Sequence, residues 1–170
     1  MAKHFLLASI ILIFFSCKNN RNKNKKENNT DTIDTISIYR PAYHFTPDSN
    51  WINDANGLVY HDGEYHLFYQ YNPFGNIWGH MSWGHSVSTD LVHWKTLPVS
   101  LYEEKNRNDN DTSMIFSGSA VVDKNNSSGF GTTGNIPLVA IYTAFVHGGR
   151  NEKGDYIAKA QNQAIAYSND

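Results

Sequence analysis

Cysteine occurs once in the 170 residues, as Cys17, so the chain cannot form an internal disulfide. No cysteine pair or carboxylate cluster accompanies His80, His85 and His93, which alternate among aromatics. That pattern suits strand packing or sugar contact, and no metal is expected. No apolar run reaches the roughly 20 residues of a membrane-spanning helix. Charge of one sign is also scarce: the net charge is −2. Lys18, Arg21, Lys23, Lys25 and Lys26 share one Asn-rich tract without aromatics, and the rest of the chain is not basic, which argues against a nucleic-acid partner. No segment carries a sustained helical stripe, so the chain is expected to be all-β.

Residues 1–17 have the order of an export signal: Lys3 and His4, an apolar run from Phe5 to Phe15 interrupted by Ala8 and Ser9, then Ser16 and Cys17. Phe14-Phe15-Ser16-Cys17 resembles a bacterial lipoprotein processing site, where the cysteine becomes the lipidated first residue. The expectation is an exported protein, periplasmic or at the cell surface, held to the membrane by a lipid on Cys17. The polar tract 18–38 cannot bury a core and reads as a solvated tether.

From Tyr39 to Asp170 the composition shifts to aromatics, Gly and β-branched residues. Strands are predicted at Leu58–Tyr60, Tyr65–Gln70, Met81–Val87, Ser117–Val122, Leu138–Val146 and Gln163–Tyr167, with a hairpin at Asp62-Gly63. Ser88-Thr89-Asp90 closes one strand and Ser168-Asn169-Asp170 another, and Phe68-Tyr69-Gln70 answers Tyr142-Thr143-Ala144. A repeat of small sheets suggests propeller blades. The first repeat continues through Leu91-Val92-His93-Trp94, whereas no residues remain for a fourth strand in the second, so the chain reads as the N-terminal part of something longer.

Trp51-Ile52-Asn53-Asp54-Ala55-Asn56-Gly57 sets one carboxylate between two amides behind an aromatic ring. Asn, Asp and Gly crowd together in ordinary turns. The same groups can hold a sugar: amides bond its hydroxyls, a ring covers its apolar face, and a carboxylate serves as nucleophile or base. Four further pieces follow in order: Phe68-Tyr69-Gln70-Tyr71-Asn72-Pro73, Trp78 to His85, Ser88-x-Asp90-Leu91-Val92-His93-Trp94, and Phe116-Ser117-Gly118-Ser119. Together these five resemble the glycoside hydrolase family 32 enzymes, the invertases, inulinases, levanases and other β-fructosidases.

The resemblance implies a five-bladed β-propeller, of which about the first two blades are present, usually followed by a β-sandwich. It implies Asp54 as the nucleophile on the anomeric carbon of fructose. Asn53 and Gln70 would bind hydroxyls, Trp78 would form an aromatic wall, and Phe116 and Ser117 would make further sugar contacts. The substrate class implied is a fructose-containing oligo- or polysaccharide, cleaved with retention and without a cofactor. Ala55 departs from the family's usual Pro, which frees φ and adds a backbone N–H. The family's acid/base Glu, in a Glu-Cys segment, and its fructose-binding Asp, in an Arg-Asp-Pro segment, have no counterpart here. Glu64, Glu103, Glu104 and Glu152 sit in turn-like or charged surroundings, and none is cast as the acid. The 170 residues thus read as an incomplete catalytic apparatus, inactive as they stand. A non-catalytic fructan-binding surface lipoprotein and a fructosyltransferase are the alternatives.

Other features point to structure. Gly129-Phe130-Gly131-Thr132-Thr133-Gly134 has the spacing of a dinucleotide fingerprint, but it leads into a predicted strand where that fingerprint must open a helix. Tyr65, Phe68, Tyr142 and Phe145 suit sheet packing, and Asp90 a turn between strands.

Overall fold

The computed structural model describes residues 40–105 and 111–169. The expected export signal with its lipidation site at Cys17, and the tether 18–38, lie outside the described residues.

Every regular element among the described residues is a strand. The elements are β1 (Ile52–His61), β2 (Glu64–Tyr71), β3 (Ser82–Ser88), β4 (Lys95–Leu101), β5 (Glu104–Lys105), β6 (Thr112–Val122), β7 (Leu138–Arg150) and β8 (Tyr156–Ser168). They form two antiparallel four-stranded sheets in chain order, β1-β2-β3-β4 and β5-β6-β7-β8. Consecutive small antiparallel sheets packed face to face are propeller blades. The fold class is all-β, with two blades of a propeller.

The strands form where the side chains favour them. Tyr65-His66-Leu67-Phe68-Tyr69 and Leu138-Val139-Ala140-Ile141-Tyr142 are aromatic and aliphatic runs that fill a pleated surface. Asp62 (φ 46°) and Gly63 (φ 87°) both lie at positive φ between the paired His61 and Glu64, as a two-residue hairpin turn requires. The Gly129–Gly134 stretch is the irregular connection between β6 and β7. The sheets meet through β1 and β6 over one core cluster of Val59, Phe68, Trp83 and Ile115. A second cluster, Met81, Met114 and Phe145, lies under Phe116 and Tyr156.

Two expectations are corrected, and β1 starts earlier than the expected Leu58–Tyr60, taking in Ile52 to Gly57. The segment is bulged, since the β1–β2 register slips between Ile52 and Ala55 and again between Asn56 and Val59. Leu91 to Trp94 are not strand. The Asp90 carboxylate accepts hydrogen bonds from the backbone N–H of Val92 (2.9 Å) and His93 (2.8 Å), while Leu91 takes φ 63°. These bonds, with the His93 ring first among them, hold the Asp90 carboxyl well below the usual carboxylate range. The chain reverses there, and β4 begins only at Lys95. Finally, the second sheet has four strands: the short β5 precedes β6 and pairs with Thr112 and Ser113.

Candidate active site

Asp54 sits at the first β1 bulge, where its carboxylate leaves the regular pleat. A bulge adds one residue to a strand and re-aims a side chain. The β6–β7 pair has a matching irregularity between Ile115 and Gly118, at Phe116-Ser117. Carbonyl groups of β6 then serve the first sheet: Ile115 O accepts from Gln70 Nε2 (2.9 Å) and Phe116 O accepts from Trp83 Nε1 (3.0 Å). Ile115 N donates to Met81 O at 2.8 Å. These bonds dock one sheet on the other and bring Ser117 to Asp54. Ser117 Oγ donates to Asp54 Oδ2 at 2.8 Å.

A cavity of about 400 Å3 opens here, lined by Asn53, Asp54, Gln70, Trp78, Met81, Phe116, Ser117, Thr143 and Gln161. All six residues singled out from the sequence line it. Asp54 is the only carboxylate among these lining residues.

The polar groups are oriented by fixed partners. Trp51 Nε1, which can only donate, bonds Asn53 Oδ1 at 2.8 Å. The amide nitrogen of Asn53 is thereby left as the donor towards the cavity. Gln70, 2 % exposed, spends Nε2 on the Ile115 carbonyl, so its Oε1 is left as an acceptor. One amide donor and one amide acceptor beside a carboxylate can bind vicinal hydroxyls.

The aromatic wall is Trp78, which meets Phe116 edge-on at 6.3 Å and Tyr156 at 5.5 Å. Phe116 in turn stacks on Phe145 at 4.9 Å with the rings 3° apart. Trp51 does not line the cavity, and its contribution is the hydrogen bond to Asn53. Asn56 also turns away, donating to the Asp54 carbonyl at 3.3 Å. Of the two amides beside Asp54, only Asn53 faces the cavity.

A larger cavity of about 490 Å3 lies between the sheets, lined by groups such as His66, Phe68, Trp83, His85 and Leu97 and, among the described residues, by no carboxylate. His85 stacks on Phe68 at 4.4 Å, and its Nε2 lies 3.1 Å from His66 Nδ1. Burial pushes the His85 imidazole down to about 4, with the neighbouring His66 adding to the effect. A site that stabilises neutral imidazoles among aliphatic side chains is packing.

Residues 44–170 match the family model described as the glycosyl hydrolases family 32 N-terminal domain. The chain belongs to glycoside hydrolase family 32. This family 32 chain is 57 % identical over 132 residues to the levanase of Bacillus subtilis (strain 168), covering 78 % of the chain and 17 % of the levanase. It is 51 % identical to the exo-inulinase of Aspergillus awamori, whose crystal structure superposes with a TM-score of 0.67 over 78 % of this chain and 26 % of that one. The fructofuranosidase of Schwanniomyces occidentalis complexed with fructose superposes with a TM-score of 0.67 at 40 % identity, over 82 % of this chain and 25 % of that one. The family 32 chain thus spans about a quarter or less of the length of these relatives.

Sequence reasoning missed three cavity-lining residues, Met81, Thr143 and Gln161. Gln161 pairs with Phe145 and Gln163 with Thr143 across β7 and β8. The alternation in Gln161-Asn162-Gln163 was a legible sign that both glutamines share a face. Which end of that face meets the Asp54 cavity follows from how the sheets pack.

Proposed function

We propose that this chain supplies the nucleophile and fructose-binding side of a retaining β-fructosidase acting on sucrose, inulin or levan. The observation that carries this reading is Asp54, the one carboxylate among the described residues that line the cavity, held through Oδ2 by Ser117. With Oδ2 so engaged, Oδ1 is the oxygen left to attack.

Asp54 Oδ1 forms a bond to the anomeric carbon of a fructosyl unit as the bond to the leaving sugar breaks. The electron pair goes to the leaving oxygen, which takes a proton from an acid. Water then attacks the same carbon, gives its proton to the conjugate base of that acid, and releases Asp54. The acid must stand about 5–5.5 Å from Asp54. No second carboxylate lines the cavity among the described residues, so the acid comes from outside them. Asn53 and Gln70 bind fructose hydroxyls, Trp78 covers the apolar face of the ring, and Phe116 and Ser117 complete the pocket. The substrate class is supported by the levanase and exo-inulinase relatives.

The protein is exported, and a lipid on Cys17 holds it at the membrane. The extracellular exo-inulinase of Aspergillus awamori supports export.

Kinetics with sucrose, inulin and levan test the assignment. In the full-length protein that supplies the acid, Asp54→Asn abolishes turnover while the protein stays folded, and the wild type releases fructose with retained anomeric configuration by NMR. Near-wild-type activity in Asp54→Asn would sink the reading. The single carboxylate also favours a second reading, fructan binding without turnover. Levan binding by calorimetry with no fructose released would select it.

A further inference from the structure

The wall residue Trp78 is held from behind by a hairpin of the other sheet. Tyr156 opens β8 opposite Arg150, the last residue of β7. Its ring takes Trp78 edge-on at 5.5 Å and 76° on one side and His147 at 4.6 Å on another. The guanidinium carbon of Arg150 lies 3.8 Å from the Tyr156 ring centroid. Arg150 Nη2 donates to the Tyr156 hydroxyl, and Nη1 to the Gly154 carbonyl, each at 2.6 Å. That hydroxyl stands where a side chain on residue 79 would begin: a Cβ there would come within 2.6 Å of it. The clamp therefore closes directly over the backbone that follows Trp78.

The hairpin tip is itself braced. Asn151 Oδ1 accepts from the backbone N–H of Lys153 and of Asp155, each at 2.9 Å, and Asn151 N donates to Asp155 O at 2.8 Å. Trp78 is 41 % exposed, and a residue so exposed needs a partner to keep its ring at one tilt. Neither Tyr156 nor Arg150 lines the cavity, so any effect they have on a ligand passes through residues that do, and Trp78 is the lining residue whose ring Tyr156 meets.

We propose that Tyr156, clamped by Arg150, is a positioning residue that sets the tilt of the Trp78 wall and thereby the affinity for the sugar ring. The ligand part rests on the β-fructosidase reading, whereas the positioning itself does not. Cation–π contact and the hydroxyl bond fix Tyr156, and edge-to-face packing passes that order to Trp78.

The test is a double-mutant cycle on the full-length protein that supplies the acid, with two readouts. Without ligand, the near-UV circular dichroism of Trp78 is isolated by subtracting the Trp78→Phe spectrum. Tyr156→Ala should collapse this band and Tyr156→Phe should keep most of it. An unchanged band in Tyr156→Ala overturns the proposal whatever the protein does to sugars. With a fructosyl substrate, Tyr156→Ala should raise KM roughly 3- to 10-fold with little change in kcat, Tyr156→Phe should restore most of the loss, and Arg150→Ala should fall between. In a Trp78→Ala background, Tyr156→Ala should add nothing. An equal rise in that background overturns the route through Trp78. If the wild type neither binds nor cleaves fructans, the β-fructosidase reading fails and the dichroism still decides the positioning.

Discussion

Ser117 Oγ donates a 2.8 Å hydrogen bond to Asp54 Oδ2 from a position 63 residues further along the chain and in the other sheet. A bond to a charged group contributes about 1.5–3 kcal/mol. Ser117→Ala should therefore lower kcat/KM on a fructosyl substrate by roughly 10- to 100-fold. Steady-state kinetics check this, alongside a far-UV spectrum to show that the sheets still form. An unchanged kcat/KM would remove Ser117 from the machinery.

Gly57 is the residue at which the second β1 bulge can be broken. It holds φ 59°, and a Cβ there would come within 2.9 Å of Phe68 and 3.3 Å of Trp83. Gly57→Ala adds left-handed strain to overpacking in the inter-sheet core, and should cost about 2–3 kcal/mol. Urea unfolding measures it, with a lowered midpoint as the expected outcome.

Gln70→Leu keeps the volume but strands the Ile115 carbonyl, which now accepts from Gln70 Nε2 at 2.9 Å. A buried acceptor without a partner costs about 1–3 kcal/mol. Thermal unfolding should show the loss. Sugar affinity should drop as well, because the Gln70 acceptor leaves the cavity.

The His66–His85 pair makes stability pH-dependent. Burial lowers both imidazoles from the ordinary 6.5, His85 to about 4. The unfolded chain therefore binds protons more readily than the folded one below pH 6.5. Stability is full above that pH and declines as pH falls from 6.5 towards 4, by about 2 kcal/mol for His85 after allowing for partial solvation. Urea midpoints at pH 7 and pH 5 test the sign. Replacing His85 with Asn should flatten the difference.

Lipidation at Cys17 is checked by growth with labelled palmitate. The protein should take up label, and Cys17→Ala should lose it. Unlabelled wild type, or label surviving in the variant, would refute the anchor.

Much of this was legible along the chain. Alternating aromatic and aliphatic runs bounded by turn residues marked most of the strands, because period-two patterning is a local property. The Asp62-Gly63 hairpin was readable for the same reason, since two residues suffice to choose the turn. The Asn53-Asp54-x-Asn56-Gly57 run has a composition that also suits turns, but pairing with β2 and burial of Gly57 against Phe68 and Trp83 draw it into a bulged strand. The extent of β4 and the presence of β5 were also hidden. Asp90 closes its turn through backbone bonds that a pattern does not display, and a two-residue strand has no period.

Residue types and their order were enough to say that Asp54 is a carboxylate among groups able to bind a sugar and that the chain makes small antiparallel sheets. Those properties reside in single side chains and near neighbours. That Ser117 reaches Asp54, that Trp51 serves Asn53 rather than a sugar, and that Tyr156 braces Trp78 were decided by the docking of one sheet on the other. Each of those contacts forms where a bulge, a hydrogen bond or a ring-to-ring approach turns a side chain, or joins residues far apart along the chain. Three-dimensional packing sets such geometry, and it has no period in the sequence.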